Sequence, residues 1–391
     1  MKMYKKSMIN LLVSLAVGLG IVFSSAVWAK NPVAAVKNQD TNGDNKVSLG
    51  EWSKSPFIFK KIDFNGDGFI TAEEFAKKWG IPMPSGGGGV SSGGSVADAG
   101  SLDESNTIIA DVHMHPHPDN HPIDQLTWMN RNGVKWAGQG EIKGGRVIRE
   151  KYRQAMGNRF IPFGGQSALN KIYFKHGVNG LEDANNWMFK SLMNELEEDF
   201  ASGKLKGIGE VMGNNSKTNP NPRVRRKTRI DAPTYLAMLD LVARYGGAMT
   251  MHVQMDEDSI EQLEVLADYN TGGNIIWAHC GNNSYAKDVR GVLQRHKNIY
   301  CDLSARHAPK LKGKVIRKRP HSEIFTPDSL DDSWKELIEE MPGRFMVGTD
   351  TKTEEHYDSG IENIRNGLLS NLSKETAEKV AYKNAQRLLD L

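Results

Sequence analysis

Between Asn106 and Leu391, short apolar runs rich in β-branched and aromatic residues alternate with longer segments whose apolar positions recur every three to four residues. The first kind, bounded by polar or glycine-containing stretches, predicts strands, and the second predicts amphipathic helices. Eight strands are expected: TIIADVH (107–113), GVKWAGQGE (133–141), NRFIPFGG (158–165), LKGIGEV (205–211), AMTMHV (248–253), NIIWAHC (274–280), NIYCDLS (298–304) and RFMVGTD (344–350). Between them lie helical segments such as DANNWMFKSLMNELEEDFA, APTYLAMLDLVARYG, SIEQLEVLADY and DDSWKELIEEM, and a further pair closes the chain. Alternating strand and helix implies parallel strands joined by helical crossovers. Eight such units over 106–391 predict an α/β fold, a (β/α)8 TIM-type barrel. An open doubly wound sheet is the alternative, because periodicity does not report closure.

The pattern is different upstream. Lys2, Lys5 and Lys6 precede an uncharged apolar run ending in small residues, with Val27 and Ala29 placed for cleavage before Lys30, so residues 1–29 read as a signal peptide. That predicts a periplasmic or secreted protein without stable membrane insertion after cleavage near Ala29; an uncleaved anchor over Met8–Ala29 is the alternative. Residues 31–80 form a small helical unit, and residues 81–105 are Gly/Ser-rich and read as a flexible linker. Composition then narrows the class. With 39% hydrophobic and 25% charged residues, the 391-residue chain is not disordered as a whole. Its net charge of +3 comes from the three leader lysines, since 47 basic and 47 acidic residues remain without them. A uniformly basic nucleic-acid surface is thereby disfavoured. The two cysteines, Cys280 and Cys301, both fall in apolar strand-like runs, which predicts buried thiols with a single bridge as the alternative.

Two loops in 31–80 carry oxygen ligands at regular spacing. DTNGDNKVSLGE offers Asp40, Asn42, Asp44, the Lys46 carbonyl and Glu51, and DFNGDGFITAEE offers Asp63, Asn65, Asp67, the Phe69 carbonyl and Glu74. A hard cation needing six to eight oxygens fits this spacing, with a sharp turn at the sixth loop position. Gly68 supplies that turn in the second loop, and Asn45 stands there in the first. Both loops are expected to bind Ca2+, as an EF-hand pair.

A second set of ligand-type residues recurs at the C-terminal ends of the predicted strands: His113 and His115 after the first, Glu210 at the fourth, His252 at the fifth, His279 at the sixth and Asp350 at the eighth. Active sites of this fold gather at that end, and imidazole with carboxylate suits one or two divalent transition-metal ions, zinc being expected. With DVHMH, GIGEV, TMHV, WAHCG, IYCDLS and VGTD in this order, the chain resembles the amidohydrolase superfamily across essentially all of 106–391. The resemblance implies that His113, His115 and Asp350 hold one ion, that His252 and His279 hold a second, and that Glu210 bridges them. It also implies that Asp350 is catalytic, taking the proton of the attacking water and passing it to the leaving group.

The expected function is hydrolysis of an ester, lactone, amide or phosphoester bond. A single-ion non-oxidative decarboxylase and a non-enzymatic calcium-dependent envelope binding protein are the alternatives. Two acid-free basic stretches shape the substrate expectation. Lys217, Arg223, Arg225, Arg226, Lys227 and Arg229 follow strand four, and Arg306, Lys310, Lys312, Lys314, Arg317, Lys318 and Arg319 follow strand seven. Such loops would focus a positive field on a small anionic substrate. Arg306 and His307, nearest the strand end, are the expected contacts, with His117 and His121 at the pocket mouth.

Overall fold

A computed structural model describes residues 32–79, except 38, 43, 45 and 53–55, and residues 99–391, except 220, 309, 312–313, 316–321 and 352. The leader over 1–29, residues 81–98 and Asn45 lie outside the described residues.

In the N-terminal unit, helices α1 (Pro32–Lys37), α2 (Pro56–Phe59) and α3 (Ala72–Trp79) accompany an antiparallel ladder of β1 (Val47–Ser48) with β2 (Phe69–Ile70). The ladder joins the two acidic loops back to back and buries Val47 and Ile70 with Trp52, Phe59 and Phe75. The terminal glutamate of each loop already ties its loop together. Glu51 Oε1 accepts from the Thr41 and Asn42 amides at 3.0 and 3.1 Å, and Glu74 Oε1 accepts from the Phe64 amide at 2.8 Å. Gly68 takes φ +85°, which a side chain would resist.

All eight predicted barrel strands are present: β3 (Ile109–Asp111), β4 (Val134–Ala137), β5 (Phe163–Gly165), β6 (Gly207–Asn214), β7 (Ala248–Val253), β8 (Asn274–Trp277), β9 (Ile299–Asp302) and, after a short hairpin of β10 (Lys310–Leu311) with β11 (Lys314–Val315), β12 (Phe345–Met346). Six pair in parallel in the order β12-β9-β8-β7-β6-β5, and β3 pairs in parallel with β4. Main-chain hydrogen bonds join the two groups at both edges. Val112 N donates to Val347 O (3.1 Å), Asp350 N to His113 O (2.8 Å), and Ile161 N to Ala137 O (3.0 Å). The ring therefore closes, and the open-sheet alternative is set aside.

Two-residue periodicity divides the core. Ala110, Trp136, Phe163, Ala248, Ile276 and Met346 pack inside the ring, joined at its base by Leu388 and Leu389 near the C-terminus. Their neighbours Ile109, Ala137, Met249, Met251, Trp277 and Phe345 pack outward against helices. Those helices include α4 (Pro122–Arg131), α5 (Arg146–Met156), α6 (Gln166–Glu182), α7 (Trp187–Ala201) and α8 (Pro233–Tyr245). The α7 helix buries Phe189, Leu192, Leu196 and Phe200, a single apolar stripe, and Asn186 caps it by accepting from the Met188 amide. One residue of the stretch read as linker, Ala99, packs against the barrel. Ala99 is buried in the outer core, and Asn130 Nδ2 donates to the Ala99 and Gly100 carbonyls.

The cysteines correct another expectation. Cys280 and Cys301 form a disulfide with a Cα–Cα distance of 4.9 Å. Trp277 and Cys301 are register partners on β8 and β9. After Trp277 the chain turns sharply, with positive φ at His279 and Cys280, and this turn carries the Cys280 thiol to the neighbouring strand.

Candidate metal centre and active-site pocket

The strand ends converge on Glu210. Its Oε1 lies 2.9 Å from His252 Nδ1 and 3.3 Å from His279 Nε2. Its Oε2 lies 3.6 Å from His115 Nε2 and 3.7 Å from His113 Nε2. Asp350 Oδ1 stands 3.6 Å from His115 Nε2, and unlike the others it keeps about a third of its side chain open to solvent. His113 and His115 lie just beyond the end of β3, on the turn that follows Asp111, with ring centroids 4.9 Å apart. All six residues named for the metal role are thus brought together.

The far side of three of the four imidazoles is already fixed. His113 Nδ1 meets Asp302 Oδ2 at 3.0 Å, His115 Nδ1 meets the Gly140 carbonyl at 2.8 Å, and His279 Nδ1 meets Ser304 Oγ at 2.8 Å. When Nδ1–H donates outward, the Nε2 lone pair is left facing inward, the arrangement that orients imidazole ligands on a cation. His113 Nε2 is fully buried and lacks a hydrogen-bond partner. Burial works against the Glu210 carboxylate, yet the surrounding His113, His115 and His252 hold it well below the usual range. Burial likewise opposes ionisation of Asp302, and the charge of His113 brings it down to about 2. His113 is disfavoured as a cation by burial but lifted well above the ordinary imidazole range by Asp302 and Glu210. Buried carboxylates that draw a proton onto a neighbouring ring are a site built for positive charge. His113, His115 and Glu210 form one group able to hold an ion, and Glu210, His252 and His279 form another.

Several residues of this site were not singled out from sequence. Asp302 sat inside a quoted strand motif, and its alignment with His113 Nδ1 depends on barrel closure. Asp111, with Oδ1 accepting from the His113 and Thr349 amides, braces the turn that carries His113. Thr218 Oγ1 approaches His252 Nε2 at 3.3 Å.

A cavity of about 650 Å3 opens onto the cluster, lined by His115, Glu210, His252, His279 and Asp350 at its floor and by Gln166, Asn170, Phe174, Met212, Asn215 and Arg226 on its wall. Arg306 is not on this surface, contrary to expectation. It is wholly buried, its Nη1 donating to the His279 and Asn282 carbonyls at 3.1 and 2.8 Å and to Ser284 Oγ at 3.0 Å, with Trp334 against its face. It clamps the turn carrying His279. His307 packs beside Phe325, away from the cavity lining. His121 Nδ1 accepts from the Ile123 amide and caps α4, so it too is absent from the lining. The first basic stretch is partly neutralised, with Lys227 on Asp256 and Asp258 from another segment and Arg229 on Asp231 two residues along. The side chains of Lys310, Lys312, Lys314, Arg317, Lys318 and Arg319 lie outside the described residues.

A family model described as Amidohydrolase matches residues 185–391, and one described as EF hand matches residues 58–77, which include the second acidic loop. No curated protein matches. Similar solved structures include an amidohydrolase from Burkholderia multivorans, 13% identical, covering 73% of this chain and 99% of its own with a TM-score of 0.43. They also include 5-carboxyvanillate decarboxylase from Sphingomonas paucimobilis (14% identity, 68% and 82% covered, TM-score 0.42) and dihydroorotase from Campylobacter jejuni (13%, 73% and 83%, TM-score 0.43).

Proposed function

This chain belongs to the amidohydrolase family and is an enzyme, and on that premise we propose that it is an exported hydrolase. In this reading it uses two divalent cations, zinc by the chemistry of the donors, to cleave an ester, lactone, amide or phosphoester bond in a small anionic substrate. The observation that carries the proposal is the disposition of Glu210, whose two oxygens face separate histidine pairs. His113 and His115 would hold one cation with Asp350, His252 and His279 the other, and Glu210 would be shared. Bound cations of this kind bring the pKa of water towards neutrality and polarise a carbonyl or phosphoryl oxygen.

The chain's own residues supply the rest. Asp350 stands at the border between buried cluster and open pocket, placed to accept a proton from the attacking water and return it to the leaving group. Asp302, Gly140 and Ser304 keep three rings in the required tautomer. Export is supported by the leader's composition and by the Cys280–Cys301 bridge, a bond that persists in oxidising compartments. Among the described residues no helix is long and apolar enough to cross a membrane.

The test is a panel of nitrophenyl esters, lactones, amides and phosphoesters offered to the full chain, chelator-stripped and then reconstituted with zinc. Hydrolysis should return with zinc, and Asp350→Asn should lower kcat by roughly 10²–10⁴-fold while the protein still folds. A rate within a few fold of wild type in that variant would remove Asp350 from proton transfer. Carbon dioxide release from aromatic acids, without hydrolysis anywhere in the panel, would replace the proposal with the single-ion decarboxylase.

A further inference from the structure

The pocket wall contains one guanidinium with an incomplete set of partners. Arg226 is 4% exposed. Its Nε donates to the Met212 carbonyl at 3.3 Å, its Nη2 to Asn170 Oδ1 at 2.8 Å, and its face rests on the Tyr173 ring at 4.6 Å. Its Nη1 is buried without an acceptor. The two acceptors it has are a carbonyl and an amide, so neither neutralises its charge. Leaving a buried charged donor unmade is costly, and such a group persists where a ligand completes it.

Its neighbours give the direction. Gln166, Asn170 and Phe174 recur every four residues on α6, share one face of that helix and all line the pocket. Gln166 Nε2 lies 3.4 Å from Glu210 Oε2 at the floor, Asn170 holds Arg226, and Phe174 is 62% exposed at the mouth. Gln166 Oε1 is a second buried atom without a partner. From Gln166 to Asn170 is about 6 Å along the helix axis, so the guanidinium stands roughly one turn outward from the reacting centre. The fork is planar and singly charged, and the wall residues nearest to it are neutral amides. A planar carboxylate, which the guanidinium can meet edge-on, matches that setting.

Resting on the hydrolase reading above, we infer that Arg226 is the specificity-determining residue of this pocket and that its unpartnered Nη1 receives a carboxylate of the substrate. The substrate class is then a compact ester, lactone or amide carrying a carboxylate about one helical turn from the bond that is cleaved, with Gln166 Oε1 available to a hydroxyl or N–H between them.

Calorimetric binding of monomethyl glutarate and of its neutral amide counterpart, methyl glutaramate, to the zinc-loaded full chain tests this. The acid should bind about 10- to 100-fold more tightly than the amide. The ratio should fall to near one in Arg226→Gln, with part of the preference restored in Arg226→Lys and the zinc content of both unchanged. Asn170→Asp, which places a carboxylate against Nη2, should abolish the preference without removing the arginine; it serves if Arg226→Gln fails to fold. A ratio near one in the wild type overturns the inference before any variant is made. A preference retained in Arg226→Gln also overturns it, by moving the carboxylate onto the cations. Inorganic phosphate binding more tightly than the acid, and lost with Arg226, would overturn the carboxylate assignment. Both probes are methyl esters, so methanol release is followed beside the binding heat; its absence would defeat the functional reading while leaving this ratio to be read.

Discussion

Replacing Asp302 with asparagine changes no shape and removes one charge, and the surroundings make its effect calculable. Asp302 is wholly buried; its Oδ2 faces His113 Nδ1 at 3.0 Å, and its Oδ1 accepts from the Ser304 amide (3.0 Å), the His279 amide (3.3 Å) and Ser304 Oγ. An amide side chain can satisfy only one of these edges. With its oxygen towards the three donors, its NH2 group faces His113 Nδ1, which forces the ring proton onto Nε2, the atom left for the cation. With the amide reversed, NH2 is pressed against two backbone N–H groups. Either way the site loses, and outer-shell changes of this kind cost about 10- to 100-fold in metal affinity, or roughly 1.4–2.8 kcal/mol. Competition of the full-length variant with a chromophoric zinc chelator at fixed pH measures it. The number of ions bound at saturating zinc should stay as in wild type, because Asp302 acts through His113. Loss of one whole ion would instead make Asp302 a ligand, and an affinity within twofold of wild type would refute its control of the tautomer.

The remaining predictions concern the calcium loops and one close backbone approach. Chelation of calcium should loosen the N-terminal unit, read as a red shift in the emission of Trp52, which packs against Phe59 and Phe75, while zinc-dependent hydrolysis continues; Glu74→Gln should reproduce the shift at lower chelator concentration, and a parallel loss of hydrolysis would show that the unit serves catalysis. Gly140→Ala should fail to fold or to retain zinc, because the added Cβ would stand 1.4 Å from the Gly209 carbonyl oxygen, where the segment after β4 meets the strand that carries Glu210; soluble, zinc-replete protein would show that this approach relaxes readily.

Much of the fold was legible because barrel strands announce themselves by apolar runs and their functional residues by position at the C-terminal end of each run. His113, His115, Glu210, His252, His279 and Asp350 all stand at such ends and meet around one carboxylate. What could not be read was direction. Arg306 follows a strand end as a catalytic-face residue would, yet its side chain turns inward because the backbone around His279 and Asn282 presents carbonyls that need a buried donor. Arg226 looked like one charge among six, and only its burial between Asn170 and Tyr173 sets it apart. The cysteines are 21 residues apart in sequence, and their pairing depends on a turn with two left-handed residues that no hydropathy pattern signals. Ala99 joined the barrel core from a stretch whose composition resembles a linker, because one asparagine, Asn130, supplies hydrogen bonds to its backbone.

The central claim is a carboxylate shared between two cations, and elemental analysis of the purified full chain, with calcium counted apart from transition metals, tests it most directly. The account predicts two transition-metal ions per chain after zinc reconstitution, falling to one in His252→Ala. A single ion in the wild type, unchanged in that variant, would contradict it.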